Sequence, residues 1–343
     1  MIKGNKEVDK ILTITVPSYN VEKFLENTLE SFVDERVLSA IEVLIVDDGS
    51  KDNTAEIGRK YEEKYPDTFR VISKENGGHG STINRGIQEA RGKYFKVVDG
   101  DDWVDREGFA ELVHRLKNCN IDYIFTNYYE VNDGTGELNP ITFPGIEKEI
   151  EMPFEKIANE TRISMHALII KTSILKENHI RLDEHCFYVD VEYILYPIPY
   201  VNSVIYFDIF VYMYRLAQVN QSVSMLGYQK HLQNHIDVVL HILDYINKYK
   251  KSPDYDTKKD TYMARRIAEM VQTQADIFMS FPLSDKTISK KFKDFDNAVK
   301  EKNLYVYKKS GEFSGMLRLL RKTGFKFYSL ILRMSKVRNH QEI

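Results

Sequence analysis

Two short acidic segments, DDGS (47–50) and DGDD (99–102), carry the residue types of a cation site. The carboxylates in question are Asp47, Asp48, Asp99, Asp101 and Asp102. Clustered carboxylates repel one another unless a cation or a hydrogen-bonding ligand compensates them. Mg²⁺ and Mn²⁺ prefer oxygen ligands, and Mg²⁺ often shares its shell with substrate phosphates. The segments therefore favour a divalent cation on a diphosphate, while each alone is explained equally well as a turn that caps a helix.

Both acidic segments follow apolar runs that the sequence pattern predicts to be buried strands. The predicted strands of the first part of the chain are 11–17, 41–48, 69–73, 94–98 and 121–131. Amphipathic stretches between them predict helices over 21–33, 52–65, 80–91 and 106–118. This alternation predicts a mostly parallel α/β sheet flanked by helices. Ligands bind at the carboxyl ends of such strands, where PSYN (17–20) also lies.

A glycine-rich segment, KENGGHGSTINRG (74–86), follows the third predicted strand. Glycines such as Gly78 permit a ligand to approach the backbone closely, and the N-terminus of the next helix favours phosphate. The spacing is neither that of a P-loop nor that of the dinucleotide fingerprint. His79 is either a contact to phosphate or metal or an ordinary loop histidine.

The second half of the chain changes character after the turn-rich stretch 132–145. Strands are predicted over 163–171 and 203–215. From about residue 226 the pattern is helical, with clear apolar stripes over 231–249 and 261–279. We therefore expect an α/β domain over residues 1–225 and a helical region over 226–343.

The overall composition is that of a globular protein, with 43% hydrophobic and 29% charged residues. The net charge of −3 gives no indication of nucleic-acid binding. Cys119 and Cys186 have no partner spacing, which favours a reducing compartment. The N-terminus shows no signal peptide, and no stretch reaches about 18 apolar residues. We expect a cytoplasmic protein whose membrane contact, if any, is peripheral.

The segments VPSYN, VLIVDDGSKDNT and NGGHGSTINRGI, followed by GKYFKVVDGDDW, together resemble the family 2 glycosyltransferases with the GT-A (Rossmann-like) fold. The resemblance covers roughly residues 10 to 130. It implies inverting transfer of a sugar from a nucleotide-diphosphate donor, usually a UDP-sugar, with Mn²⁺ or Mg²⁺ as cofactor. It also implies a nucleotide-binding half at about 10–131 and an acceptor half at about 145–225.

The resemblance also implies roles for individual residues of the nucleotide-binding half. Pro17 and Tyr19 would line the nucleotide pocket, Asp48 would bind the base, Asp99 the ribose, and Asp101 the metal. The glycines of the two loops, Gly78 and Gly100, would lie against the donor. Many members have Ala-Arg-Asn where this chain has Thr82-Ile83-Asn84, so a frequent basic contact is missing. His79 or Arg85 is the candidate replacement.

The general base is expected in the second half, in CFYVDVEY (186–193). A base must reach the acceptor hydroxyl on the side opposite the leaving diphosphate. By its place in the family pattern Asp190 is favoured, with Glu192 as the second candidate and a plain helix cap as the alternative. Arg215, with Gln221 and Ser222, matches a family segment that faces the diphosphate or orders a lid, although a strand end and turn explain it equally. His166 is interpreted as core or acceptor wall.

The C-terminal stretch 315–340 is basic and amphipathic, and it contains no acidic residue. This composition suits a helix at an anionic membrane interface. A helix docked on the protein or in a homodimer explains it equally well. Gly324 is expected to interrupt the helix.

The prediction is a metal-dependent inverting glycosyltransferase of bacterial polysaccharide or cell-surface glycan type, acting on a glycan or lipid-linked acceptor. A sugar-phosphate nucleotidyltransferase is the alternative enzyme. It should carry a glycine-rich basic loop after the first strand, which PSYNVEKF does not provide. A non-catalytic nucleotide-sugar or partner-binding protein is the third possibility, and the intact set of carboxylates argues against it.

Overall fold

The structure is a computed structural model that describes residues 10–158, 161–216 and 224–338. Gln221 and Ser222, for which a role at the diphosphate was predicted, lie outside the described residues. The chain divides into two compact units, Met1–Val219 and Asn220–Ile343.

The first unit begins with four parallel strands in the order β3-β2-β1-β4. These strands are β1 (Leu12–Ser18), β2 (Ile41–Asp47), β3 (Phe69–Ser73) and β4 (Tyr94–Val97). The helices between and after them are α1 (Leu25–Ser31), α2 (Thr54–Lys64), α3 (His79–Glu89) and α4 (Arg106–Leu116). Every residue of β1 and β2 is buried, as expected for strands covered by helices on both faces.

The remaining strands extend the same sheet in the order β9-β6-β10-β5 beyond β4. They are β5 (Trp103–Val104), β6 (Tyr123–Asn132), β7 (Leu138–Ile141), β8 (Met152–Pro153), β9 (Leu168–Lys171) and β10 (Ser203–Leu216). Strand β9 is antiparallel to both β4 and β6, and β10 is parallel to β6. The long strands β1 to β4, β6 and β10 therefore share one direction, and their carboxyl ends form one edge of the sheet. The short helices α5 (Thr172–Glu177) and α6 (Asp190–Leu195) complete this unit.

Strand β9 is shorter than the strand predicted over 163–171. Residues Met165–Ala167 form a 3-10 turn instead. The buried ammonium of Lys96 donates to the backbone carbonyls of His166 (2.7 Å) and Leu168 (3.3 Å). In a longer strand these carbonyls would accept hydrogen bonds from an adjacent strand. Burial lowers the pKa of Lys96 to about 7.

The second unit is helical in the part that is described. Its helices are α7 (Met225–Lys230), α8 (Leu232–Tyr249), α9 (Thr257–Ser280), α10 (Lys286–Lys302), α11 (Leu304–Phe313), α12 (Gly315–Lys322) and α13 (Tyr328–Arg338). The predicted break at Gly324 is confirmed: α12 ends at Lys322, and Gly324 has a φ of +59°. Among the described helices, none combines the length and the apolar character needed to cross a bilayer.

Candidate active site

Asp48 lies at the end of β2 and is held by the glycine-rich segment. Its carboxylate accepts hydrogen bonds from the backbone N–H groups of Gly77 (2.9 Å) and Gly78 (2.8 Å). The ammonium of Lys74 lies 2.6 Å from the same carboxylate. Asp48, for which the family resemblance implies a contact with the base, is thus 2% exposed and is held by the glycine-rich segment.

Lys74 is a residue that the sequence reasoning missed. Its position directly after β3, at the carboxyl edge of the sheet, is the signal that could have indicated it. Arg85 points away from the acidic edge, since its guanidinium pairs with Glu89 at 2.8 Å. Of the two proposed replacements for the missing family arginine, only His79 has contacts at this edge.

His79 opens helix α3 and pairs with Asp99, with 2.8 Å between Nε2 and Oδ1. Burial would lower the pKa of His79, but the charge and hydrogen bond of Asp99, with Asp190 and Asp101 nearby, raise it above its usual value. Burial would raise the pKa of Asp99, and His79 more than offsets this, so that this pKa lies below its usual range. A cationic histidine beside an ionised aspartate is therefore the favoured state.

The other two aspartates of DGDD have different surroundings. Burial, followed by the charge of Asp99, raises the pKa of Asp101 to about 6. Asp102 is 1% exposed and accepts hydrogen bonds from the hydroxyl of Tyr212 (2.6 Å) and the backbone N–H of Arg215 (2.7 Å). Asp102 therefore anchors the loop to β10. The cap of α4 is Asp105, whose side chain accepts from the N–H of Gly108.

Arg215, predicted to face a diphosphate, instead contacts the backbone of the DGDD loop. Its Nε donates to the carbonyl of Asp101 at 2.7 Å, and its Nη1 pairs with Asp133 at 2.5 Å. Its guanidinium also stacks over the rings of Trp103 (4.6 Å) and Phe24 (5.0 Å). These contacts make Arg215 a support for the backbone that carries Asp101.

Asp190 is the first residue of α6, and it comes close to the aspartates of the first half. Burial raises the pKa of Asp190 to about 6, while the charge of His79 opposes this rise and that of Asp99 adds to it. The segment before α6 reaches this position by pairing with α3 and its loop. The N–H of His185 donates to the carbonyl of Gly77 (2.5 Å), and Asn84 exchanges two hydrogen bonds with Leu182.

Glu192, the second candidate for the base, is fully buried. Its carboxyl accepts from the backbone N–H of Asp183 (2.8 Å) and from the hydroxyl of Tyr196 (2.9 Å). Burial raises the pKa of Glu192 to about 7. These contacts brace the segment that precedes α6.

An aromatic wall closes the site on the side of β10. The ring of His166 stacks on Tyr214 at 3.9 Å and meets Tyr212 edge-on at 4.9 Å. Burial raises the pKa of Tyr214, and four carboxylates add to the rise: Asp102, Asp99, Asp190 and Asp101. Tyr214 therefore lies near these carboxylates; the sequence places it directly before Arg215 in the same family-like segment, without a role of its own.

A possible metal-binding group includes His166, which was interpreted as core or acceptor wall. Ligand atoms of Asp99, Asp102 and His166 lie within 4.8 Å of one another, and Nδ1 of His166 is buried without a hydrogen-bond partner among the described residues. The oxygens of Asp102 already accept two hydrogen bonds, so its capacity to bind a cation is reduced. Carboxylate and imidazole donors suit a divalent cation at this edge.

The remaining predicted residues lie around the same strand ends. Tyr19 is 48% exposed and follows β1, whereas Pro17 is buried within it. Gly100 donates its N–H to the carbonyl of Pro17 at 3.1 Å, and a Cβ at this position would lie 2.8 Å from that oxygen. Gly78 has a φ of +82°, a conformation that favours glycine. Both glycines are thus required by the backbone itself.

A separate cavity of about 650 Å³ lies between α4 and β10. Arg36, Glu107, His114 and Asp208 are among its lining residues. None of the predicted site residues lines it, so the site is identified by its chemistry and not by this cavity.

Comparison with known proteins gives the family of this arrangement. Residues 13–178 match the model of glycosyl transferase family 2. The chain is 27% identical over 295 residues to the glycosyltransferase EpsJ of Bacillus subtilis (strain 168), covering 82% of each protein. It is 29% identical over 187 residues to the minor teichoic acid biosynthesis protein GgaB of the same organism, covering 53% of this chain and 20% of GgaB.

Solved structures show the same architecture. S. aureus TarS 1–349 in complex with UDP-GlcNAc aligns with a TM-score of 0.68 at 18% identity, covering 96% of this chain and 92% of that one. At this identity the likeness shows the fold, which is GT-A. Residues 13–178 thus match a glycosyl transferase family 2 domain, the fold is GT-A, and the protein is a glycosyltransferase.

Proposed function

We propose that this glycosyltransferase moves a sugar from a nucleotide-diphosphate donor, a UDP-sugar, to a hydroxyl of a glycan or lipid-linked acceptor. The observation that carries the proposal is the 2.8 Å pair of His79 with Asp99, with Asp101 and Asp190 near enough for their charges to raise the pKa of His79. Asp99 and Asp101 follow β4, and Asp190 is the first residue of α6. The residues proposed for the donor and the residue proposed for the acceptor therefore lie near one another. The UDP-GlcNAc bound to TarS supports a UDP-sugar as donor.

In the donor site, Tyr19 and the loop closed by Asp48 and Lys74 would hold the nucleotide. Asp99 would bind the ribose and Asp101 a divalent metal, Mn²⁺ or Mg²⁺. The metal would neutralise the diphosphate charge that develops as the leaving group departs. Arg215 would keep Asp101 in place through its backbone carbonyl. We also propose that Tyr214 offers its hydroxyl to the transferred sugar. Its side chain lies near the aspartates proposed to bind the donor and near Asp190, the proposed base for the acceptor.

Asp190 would act as the general base. The acceptor hydroxyl loses its proton to the carboxylate of Asp190 while its oxygen bonds to the anomeric carbon. The bond from that carbon to the diphosphate oxygen breaks, and the electron pair leaves with UDP. A single displacement of this kind inverts the anomeric centre and needs no covalent intermediate. A pKa of about 6 leaves Asp190 ionised at neutral pH and still basic enough for its task.

Two other functions are less well supported. A sugar-phosphate nucleotidyltransferase should have a basic glycine-rich loop after β1, where this chain has PSYN. A non-catalytic binding protein would have no need for a carboxylate with a raised pKa, that of Asp190, near Asp99 and Asp101. We further propose a cytoplasmic location, supported by the two free cysteines, Cys119 and Cys186.

Asp190→Asn tests the proposed function. We expect calorimetry to show UDP binding with Mn²⁺ as in the unaltered protein, and release of UDP from UDP-sugars, with water or simple glycosides as acceptors, to fall by about 10²-fold or more. Asp67→Asn is the control, because Asp67 is exposed and precedes β3 at the opposite edge of the sheet. Near-normal turnover of Asp190→Asn would remove this residue as the base.

A further inference from the structure

The last two helices present a surface that is both apolar and basic. We define the tail face as the exposed residues Lys322, Lys326, Phe327, Leu330, Arg333 and Met334. Phe327, Leu330 and Met334 are 56%, 57% and 64% exposed. Leu330 and Met334, four residues apart, lie on one side of α13, and Phe327 directly precedes the first residue of this helix. Three large apolar side chains exposed so close together are unusual for a surface that meets only water.

The tail face is not the side by which this segment packs on its own unit. That side carries Phe325, Tyr328, Ile331 and Leu332, which are buried. The hydroxyl of Tyr328 donates to the carbonyl of Phe278, and Phe325 packs against Phe292. These buried residues already attach the segment to the rest of its unit. The exposed side chains of Phe327, Leu330 and Met334 are therefore not needed for the unit to fold.

The charged side chains of the C-terminal segment itself have a single sign, although Asp285, in the loop before α10, lies near enough to raise the pKa of Tyr328. No acidic residue occurs in the sequence between Glu312 and Glu342. Arg321 is neutralised by a buried pair with Asp296 at 2.7 Å, whereas the basic residues of the tail face are exposed. Basic side chains that flank an exposed apolar row fit the interface of an anionic bilayer, which takes up the apolar groups and attracts the cations.

A second copy of the chain is the less suitable occupant. In a two-fold dimer the same patch would meet itself, and the cations of the tail face would then oppose one another. We propose that the tail face inserts into the interface of a membrane rich in anionic lipid. This inference does not depend on the donor or the metal, and it goes beyond the transfer reaction.

Vesicle co-sedimentation of the full chain tests the proposal. Phosphatidylcholine vesicles with phosphatidylglycerol should bind the protein, and vesicles without it should bind at least about tenfold less. The triple variant Phe327→Ser, Leu330→Ser, Met334→Ser should lose about tenfold or more in binding to the anionic vesicles. The double variant Lys326→Glu, Arg333→Glu should lose the preference for phosphatidylglycerol.

Matched controls change exposed residues elsewhere. Met225→Ser, Leu226→Ser, Leu304→Ser removes the same number of exposed apolar side chains, and Lys251→Glu, Lys258→Glu makes the same change in charge. Both should bind vesicles like the unaltered protein. Equal binding by the tail-face variants would overturn the proposal. So would a dimer in analytical ultracentrifugation that the triple variant turns into a monomer, with no vesicle binding by the unaltered chain. UDP binding, measured separately, shows whether the donor site of each variant is intact.

Discussion

The three aspartates of DGDD are chemically identical, and their neighbours give them different tasks. Asp99 is held ionised by His79, Asp101 has a raised pKa, and Asp102 is occupied by Tyr212 and by the backbone of β10. Asp99 pairs directly with a histidine, Asp101 makes no such pair among the described residues, and Asp102 already accepts two hydrogen bonds, so the three carboxylates should respond differently to a metal ion. Our proposal therefore assigns the donor to Asp99 and the cation to Asp101.

Glu192 gives a prediction about pH and stability. Its pKa rises from 4.5 to about 7 on folding, so the folded protein holds a proton that the unfolded chain has lost in this window. The stability from this group is complete below pH 4.5 and is lost as the pH rises to about 7. Glu192→Gln should therefore gain stability relative to the unaltered protein over that window, by at most about 3 kcal/mol.

Urea unfolding at several pH values measures this difference. Glu184→Gln is the control, because Glu184 belongs to the same segment but is exposed. Its pH profile should follow that of the unaltered protein. A profile of Glu192→Gln that stays parallel to the unaltered one from acid to neutral pH would contradict the assignment.

Among the secondary-structure elements, the contact between α3 and the segment before α6 decides where the proposed base lies. Gly80 in the first turn of α3 lies against the carbonyl of Asp183, and a Cβ at Gly80 would lie 2.0 Å from that oxygen. Real Cβ atoms do not approach a backbone oxygen this closely. The absence of a side chain at Gly80 is therefore required for the segment before α6 to pack this closely on α3.

Gly80→Ala should push these two segments apart. We expect the free energy of unfolding to fall by about 2–3 kcal/mol, as for other overpacked sites, and UDP-sugar turnover to fall with it. Urea unfolding and UDP release measure the two effects. Gly134→Ala is the control, since a Cβ there would meet only Asn132 Oδ1, at an ordinary 3.5 Å. Unchanged stability of Gly80→Ala would contradict a close contact between these two segments.

For the molecule as a whole, ligand binding should raise the free energy of unfolding and the unfolding temperature. A ligand that binds only the folded state stabilises it by about 2.7 kcal/mol at one hundred times its dissociation constant. For a unit of about 200 residues this corresponds to a rise of about 5–10 °C in the unfolding temperature. We expect UDP with Mn²⁺ to produce such a rise, and a panel of nucleotide sugars to rank the donors by their shifts.

Asp101→Ala separates the metal from the nucleotide in this experiment. The variant should keep any shift that UDP causes alone and lose the increment that Mn²⁺ adds. An equal Mn²⁺ increment in the variant would reject Asp101 as a metal ligand and direct attention to Asp99 and His166.

Most of the elements could be predicted from the sequence because their signals are local. A strand such as β2 is an unbroken apolar run, and helix α4 is an amphipathic stretch with Asp105 as its cap. The parallel direction of the first four strands follows from the α/β alternation, whereas their order, β3-β2-β1-β4, is decided by the tertiary structure. The 3-10 turn before β9 could not be predicted, because it depends on a lysine that lies 70 residues earlier in the chain.

The sequence by itself determined an α/β sheet with the aspartates at one edge, because periodicity and motif order are properties of neighbouring residues, and its motifs resemble those of the family 2 glycosyltransferases. Only the tertiary structure decided which groups meet. Lys74 pairs with Asp48 across 26 residues, and the backbone of Arg215 binds Asp102 across 113. Such partners depend on how whole strands pack, and a change in that packing would give the same residues other neighbours. The charge state of each aspartate, and with it the chemistry of the site, is therefore set by the fold.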